Sequence, residues 1–164
     1  FLKDKNFPIE IEAINDGKEI LDTGGGILNM IKKSTDSNFL IFNPDTLWNE
    51  NYISEIIEMQ NFYFSKKLNN ILLVVNKRLS FDKNFKGDFR LKDYNLKKNE
   101  PNDFIYIGCQ ILNKNLFIKY QIESFPISKI WNELLDTNSL NGFQSLSNFF
   151  HLTDLETFKK LKDL

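Results

Sequence analysis

Two short apolar runs, separated by a segment with helical spacing, constrain the fold of this chain more than any other feature. Residues 39–42 and 71–75 have the length and composition of buried strands, and residues 50–64 place Ile53 and Ile57 on one helical face. A strand, helix, strand order is typical of a parallel α/β sheet. We therefore expect an α/β protein in which residues 39–42 form a fully buried strand.

Further elements are predicted on both sides of this unit. Residues 7–14 alternate between apolar and polar side chains as a half-buried strand does, and residues 104–112 predict a long buried strand. The other predicted elements are helices at 27–33, at 128–135 with a cap near Ser128, and after Asp154, and a polar hairpin at 85–91 and 94–98. Residues 1–164 are expected to form a single domain.

Composition and charge limit the classes of function. The chain is 41% hydrophobic and its formal net charge is -1, with 21 basic and 22 acidic residues interspersed, which does not favour a nucleic-acid surface. No apolar run is long enough to span a bilayer. The single cysteine, Cys109, lies within an apolar run, so we expect a buried, inert thiol in a soluble, cytoplasmic protein.

Three glycines, Gly24, Gly25 and Gly26, precede the predicted helix at 27–33. Glycines at a helix N-terminus let the backbone approach a ligand closely and direct N–H groups at a phosphate or a base edge. From spacing alone, a tight turn from strand to helix is an equally good interpretation.

Two acidic positions and one histidine are further candidates. Asp45 follows a predicted strand and Pro44, where a carboxylate can hold magnesium against phosphate oxygens, although an Asp there is more often a turn or helix cap. Asp88, preceded by a glycine, can equally form a hairpin turn. His151, the only histidine, lies beside Phe150 and is more often a packed core residue than a ligand. The two tryptophans are interpreted as core anchors.

Six segments in order resemble the bacterial sugar-phosphate nucleotidyltransferases of the N-acetylmuramate or glucose 1-phosphate uridylyltransferase and thymidylyltransferase type. They are LDTGGGI at 21–27, FNPDTLW at 42–48, KGDFRL at 86–91, FIYIGCQIL at 104–112, PISKIW at 126–131 and FHLTDLETF at 150–158. The resemblance implies a Rossmann-like nucleotide-diphospho-sugar transferase fold, a mixed, mostly parallel sheet flanked by helices. It also implies that the family's first strand and its triphosphate-binding loop are missing from residues 1–164, which alone should be inactive.

The resemblance also implies roles for individual residues. Nucleotide contacts would fall to Thr23, Gly24, Gly25 and Gly26, and sugar contacts to Gly87, Asp88, Gly108 and Gln110. Asp45 would be the catalytic magnesium ligand. His151 occupies the place of a second metal-binding Asp in many members, and the Gly-Thr that usually follows two residues later is replaced by Thr153 and Asp154.

The implied reaction transfers a nucleoside monophosphate from UTP or dTTP to a sugar 1-phosphate with Mg²⁺ as cofactor. The expected partners are these two small molecules, with no nucleic acid and no membrane. The alternative is a catalytically inactive sugar-nucleotide-binding or regulatory domain of the same fold, favoured by the altered motif at His151.

Overall fold

A computed structural model of the chain describes residues 7–98 and 101–162. The described residues contain four α-helices, α1 (Asp22–Ile31), α2 (Asn51–Ser65), α3 (Ser128–Asp136) and α4 (Leu155–Lys162). The strands are β1 (Asn38–Phe42), β2 (Asn70–Asn76), β3 (Arg90–Lys92), β4 (Asn95–Lys97), β5 (Phe104–Asn113) and β6 (Gly142–Ser145). In this described part, no helix is long and apolar enough to cross a membrane.

The main sheet has the strand order β1-β5-β2-β6. Strand β5 is antiparallel to both β1 and β2, whereas β2 and β6 are parallel. Three of the four strands therefore point in one direction, and β5 is inserted between the two strands that α2 connects. This confirms the predicted mixed, mostly parallel sheet flanked by helices.

The two faces of the sheet carry different partners. Alternate residues of β2 and β5 pack under α2, in a core cluster that includes Tyr52, Met59 and Tyr63. On the opposite face, one cluster joins α1 and α3 and another joins the β3–β4 hairpin, and Trp131 packs against both. Period-2 alternation along β5 consequently decides which side chains face α1 and α3.

Strand β1 is not fully buried, so that prediction was wrong. Leu40 is 43% exposed and Phe42 is 46% exposed, whereas Phe39 and Ile41 pack against the core. Among the described residues β1 pairs only with β5 and forms an edge of the sheet. A short apolar run shows that a segment can be a strand, but its neighbours decide how much of it is covered.

The strand predicted at residues 7–14 is also wrong. This segment has no strand assignment, and its apolar side chains Phe7, Ile9 and Ile11 are exposed. A strand requires hydrogen bonds to a neighbouring strand, and the described part of the chain pairs none with these residues. Alternation alone therefore did not produce a strand.

Helices α1 and α3 differ from their predictions at their first turns. Helix α1 begins at Asp22, so the three glycines lie inside it rather than before it. The N-cap of α3 is Ile127, not Ser128, and no side chain caps this helix. Instead, the Ile127 backbone N–H donates to Thr23 Oγ1 at 3.1 Å, which satisfies an amide at the start of α3 and ties the two helices together.

Cys109 is fully buried under α2, as predicted, and burial raises the pKa of its thiol from the ordinary 9.0 to about 12. We expect the native protein not to react with a thiol reagent at pH 8, because the thiol is both inaccessible and protonated. Reaction should follow unfolding in urea, and a Cys109→Ala variant should show none. Rapid labelling of native protein would contradict this account.

Burial of Cys109 also makes stability depend on pH. The unfolded chain ionises this thiol near pH 9 while the folded chain keeps it neutral, so the free energy of unfolding falls as pH rises from 9 towards 12.

Candidate functional site

A cleft of about 380 Å³ opens between the first turn of α1, the end of β1, the α1-facing side of β5 and the start of α3. Of the predicted site residues, Thr23, Gly26 and Gln110 line it. The other lining residues are Asp22, Ile27, Met30, Ile41, Phe42, Asn43, Pro44, Tyr106, Ile127 and Trp131. The walls are thus largely apolar with a few polar groups, which is the usual character of a small-molecule site.

The first turn of α1 is held against the segment before α3. The backbone N–H groups of Gly24 and Gly25 both donate to the Phe125 carbonyl, at 2.9 and 3.2 Å. A Cβ on Gly24 would lie 2.8 Å from that carbonyl, and a Cβ on Gly25 would collide with the Glu123 carbonyl. These two glycines are therefore required for close packing, and their N–H groups already have partners.

Gly26 and Thr23 have different surroundings from the two packed glycines. Gly26 faces the cleft, and the nearest atom to a Cβ there would be Asp16 Oδ2 at 3.6 Å. The Thr23 hydroxyl oxygen accepts a hydrogen bond from the Ile127 N–H. The backbone N–H of Thr23 donates to Asp22 Oδ1 at 2.5 Å. The nucleotide contacts of all four residues remain predictions, with Gly26 the most open of the three glycines.

Gln110 presents an oriented amide in the cleft. Trp131 Nε1–H donates to Gln110 Oε1 at 3.1 Å. An indole N–H can only donate, so this bond fixes which end of the amide faces Trp131 and leaves the NH₂ group to face away. No described residue accepts a hydrogen bond from that NH₂. Gln110 is 1% exposed, and its free donors suit a ligand hydroxyl or phosphate oxygen.

Tyr106 and Trp131 are cleft residues that the sequence interpretation missed. Their rings make an edge contact with centroids 4.8 Å apart. Burial raises the pKa of Tyr106 well above its ordinary value, and repulsion from Cys109 once its thiol ionises and from the Asp45 carboxylate adds to this, so the hydroxyl stays neutral. Its oxygen is buried with no hydrogen-bond partner in the described residues. The period-2 pattern that puts Gln110 on this face also puts Tyr106 there, and that signal could have found it.

Gly108, Gly87 and Asp88 lie in the framework of the site and outside the set of cleft-lining residues. Gly108 has φ +87°, and a Cβ there would lie 2.9 Å from Asn43 Cβ, so it lets the loop after β1 pack on β5. Gly87 has φ +81° and passes close to the Asn102 carbonyl. Asp88 Oδ2 accepts the Tyr106 backbone N–H at 2.9 Å. Their sugar contacts stay predictions, and the structure gives each a positioning contact.

Asp45 and His151 meet next to the cleft, beyond Asn43 and Pro44. His151 Nε2 lies 3.3 Å from Asp45 Oδ2, with the side chains 25% and 45% exposed. Backbone bonds from Leu47 N–H to the Phe150 carbonyl and from Leu152 N–H to the Asp45 carbonyl hold the two segments side by side. The pairing of these segments brings the two side chains next to each other.

The surroundings of His151 combine aromatic packing with a facing carboxylate, and its role as a metal ligand stays a prediction. Its ring packs against Phe85 and Phe149, each with centroids 5.8 Å away, as a core histidine would. Its Nε2 nevertheless faces a carboxylate, while Asp45 Oδ1 and His151 Nδ1 are buried without a hydrogen-bond partner among the described residues. Buried polar atoms normally have partners, so unsatisfied atoms on both members of one pair mark this position as unusual.

Comparison with known proteins gives matches of structure only. No protein-family model matches the chain, and no curated protein matches it by sequence. HddC from Yersinia pseudotuberculosis, solved with GMP-PN, superposes with a TM-score of 0.61 at 22% identity, over 87% of this chain and 62% of that one. A UDP-glucose pyrophosphorylase solved with UDP-glucose gives 0.64 at 13% identity, over 88% and 62%. The chain has the fold of sugar-phosphate nucleotidyltransferases.

An inositol-1-phosphate CTP transferase from T. maritima shares this fold, with a TM-score of 0.63 at 11% identity over 84% of this chain and 58% of that one. At these identities the likeness shows the fold and does not carry over substrates or site residues. The chain spans about 60% of the length of the solved structures it matches.

Proposed function

We propose that this chain belongs to a nucleotidyltransferase that transfers a nucleoside monophosphate from a nucleoside triphosphate to a sugar 1-phosphate, releasing pyrophosphate. The observation that carries the proposal is the position of Asp45. It follows β1 at the end of a strand, beside a cleft lined by the first turn of α1 and by Gln110. Ligands of open α/β sheets bind at the carboxyl ends of strands, and solved proteins of this fold hold GMP-PN and UDP-glucose.

The proposed nucleophile is an oxygen of the sugar 1-phosphate, which attacks the α-phosphorus of the triphosphate. The bond from that phosphorus to the pyrophosphate oxygen breaks, and pyrophosphate leaves with the electron pair. The attacking oxygen is already anionic, so no residue has to remove a proton. The work of the protein is then to position two phosphate-bearing substrates and to offset their charge.

Within that reaction, Gln110 would donate its amide N–H to the sugar phosphate, held in orientation by Trp131. Gly26 would let the nucleotide approach α1, and the apolar walls formed by Ile41 and Ile127 would exclude water from the reacting phosphates. UTP and dTTP remain the nucleotides expected from the sequence resemblance.

The residues beside the cleft fit a divalent cation whose remaining ligands come from the substrates. Asp45 Oδ2 and His151 Nε2 supply two neighbouring donor atoms, and within residues 7–98 and 101–162 no group of three or more His, Cys, Asp or Glu side chains gathers around a cation position. A cation bound by few protein ligands takes its others from water and substrate phosphates, as Mg²⁺ commonly does. When bound, it would neutralise charge on the phosphates.

The direct test measures pyrophosphate release by the whole protein with Mg²⁺, each of UTP, dTTP and GTP, and a panel of sugar 1-phosphates. Release that requires both a triphosphate and one sugar phosphate supports the transferase.

A second candidate is a non-catalytic sugar-nucleotide-binding domain, which His151 in place of a second acidic metal ligand favours. Tight binding of a nucleotide sugar without pyrophosphate release by any pair would select this second candidate.

The role of Trp131 can be tested by replacing it with Phe. This change keeps most of the ring packing and removes the N–H that orients Gln110. We expect the KM for the sugar 1-phosphate to rise about fivefold, the effect of losing one modest hydrogen bond, with a smaller change in kcat. Steady-state kinetics measure both.

A matched control is Tyr63→Phe, which removes a hydroxyl that donates to Asn38 Oδ1 at 2.7 Å at the opposite end of β1 from the cleft. This variant also loses a hydrogen bond to an amide oxygen and should keep its KM. Equal KM values for the wild type and the Trp131→Phe variant would show that the proposed contact between Gln110 and the sugar 1-phosphate is wrong.

A further inference from the structure

The two donor atoms that face each other beside the cleft come from different chemical classes. Asp45 offers a carboxylate oxygen and His151 an imidazole nitrogen, 3.3 Å apart. Asp45 Oδ1 is buried, while the Asp45 side chain as a whole is 45% exposed and that of His151 is 25% exposed. The pair is therefore partly open to solvent.

The separation of these atoms matches that of two ligands on one cation. Metal–nitrogen and metal–oxygen bonds of about 2.1 Å, with angles between octahedral and tetrahedral, place neighbouring donor atoms about 3.0–3.4 Å apart. Backbone hydrogen bonds between residues 45–47 and 150–152 hold the two segments that carry the pair side by side. A cation could then be bound with little movement of either segment.

The imidazole changes which cation the pair prefers. Mg²⁺ is a hard ion that takes oxygen ligands, whereas imidazole nitrogen favours first-row transition ions, with affinity rising from Mn²⁺ to Co²⁺ and beyond. We propose that the Asp45–His151 pair binds a first-row transition dication such as Co²⁺ or Mn²⁺ in preference to Mg²⁺. This inference rests on the metal position in the proposed function, and it refines the Mg²⁺ expected from the sequence resemblance.

A purely structural ion pair is the competing explanation for this contact. In that case the polar atoms of both side chains should find partners, as those of Glu55 do, whose two oxygens accept from Ser145 Oγ, Leu146 N–H and Ser147 Oγ. Asp45 Oδ1 and His151 Nδ1 have none in the described part of the chain. Unlike Glu55, the pair therefore has unsatisfied polar atoms, and these are Oδ1 and Nδ1, whereas the atoms that face each other are Oδ2 and Nε2.

The test titrates the purified protein, without nucleotide, with Co²⁺ alone by visible absorption and calorimetry, and with Mg²⁺ alone by calorimetry. We expect Co²⁺ to bind at least about tenfold more tightly than Mg²⁺. In a His151→Asp variant, which supplies two carboxylates, this ratio should fall several-fold as Co²⁺ weakens and Mg²⁺ strengthens. His151→Asn is the second variant, and thermal melts check that each variant is folded.

Equal affinities for Co²⁺ and Mg²⁺, no binding of Co²⁺, or an unchanged ratio in both folded variants would each overturn the inference. These readouts need no catalysis, so failure of the transferase assay leaves them interpretable. Conversely, pyrophosphate release with a wild-type protein that binds Mg²⁺ better than Co²⁺ would keep the proposed function and reject the metal preference.

Discussion

Replacing Asp45 with Asn should slow pyrophosphate release from the whole protein by about 100- to 1,000-fold, as loss of a group that stabilises transition-state charge does. Asn keeps the size of the side chain and removes the negative charge that would hold a cation against the phosphates. The side chain is 45% exposed and lies outside the hydrophobic core clusters, so the melting temperature should change little. Steady-state rates at saturating substrates, with the cation concentration varied, measure the effect.

Asp136→Asn is the matched control, because Asp136 is exposed at the end of α3 and lies outside the cleft and the Asp45–His151 pair. This variant loses the same charge and should retain the wild-type rate. If the Asp45→Asn protein released pyrophosphate at a rate within about twofold of the wild type, the assignment of Asp45 would be wrong, because so small a change corresponds to much less than the roughly 1.4 kcal/mol of a tenfold effect.

The largest effect on stability is expected for Gly25→Ala, which should lower the free energy of unfolding by about 1–3 kcal/mol. The added Cβ would collide with the Glu123 carbonyl, and it would also lie 3.1 Å from Leu21 Cβ. Because the obstacle is backbone, α1 would have to move away and weaken the bonds from Gly24 and Gly25 to the Phe125 carbonyl. Urea denaturation followed by circular dichroism measures the change.

Gly26→Ala, one residue later in the same helix, provides the comparison. Its Cβ would meet nothing closer than Asp16 Oδ2 at 3.6 Å, so the change should be neutral or stabilise the protein by up to about 1 kcal/mol through helix propensity. If both variants lose stability equally, helix conformation rather than close packing governs this turn, and the packing role of Gly25 is wrong.

The elements predicted best from sequence are those whose signal is long and local. Strand β2 and helix α2 were placed to within a few residues, and the β5 prediction matched because a long apolar run in an α/β pattern has few alternatives. The errors occurred where contacts with distant parts of the chain decide whether a segment forms a strand and how deeply it is buried. Residues 7–14 have the pattern of a strand without a described neighbour, and β1 has the composition of a buried strand at a sheet edge.

The start of α1 shows the same limit. Glycines have poor helix propensity, so the sequence placed them before the helix. The Phe125 carbonyl accepts two of their N–H groups and lets the helix begin at Asp22. That carbonyl lies about a hundred positions away in the chain, and no local pattern could have indicated it.

Some features of the candidate site could be predicted from the sequence and others could not. The motif resemblance identified Asp45 and His151, which the fold brings within 3.3 Å, although local patterns favoured a turn and a core residue. The orientation of Gln110 by Trp131 depends on the packing of α3 against β5 and was not predictable from either segment alone. Tyr106 could have been found from strand alternation, whereas the packing roles of Gly24 and Gly25 depend on the 123–125 backbone.

A crystal structure of the protein with a nucleotide sugar tests the central claim most directly, because it locates the ligand independently of the rate of any reaction. The account predicts density in the cleft between α1 and β5, with the nucleotide beside Gly26, the sugar within hydrogen-bond distance of Gln110 Nε2, and the diphosphate towards Asp45. A nucleotide sugar bound elsewhere on the chain, with this cleft empty, would contradict the account.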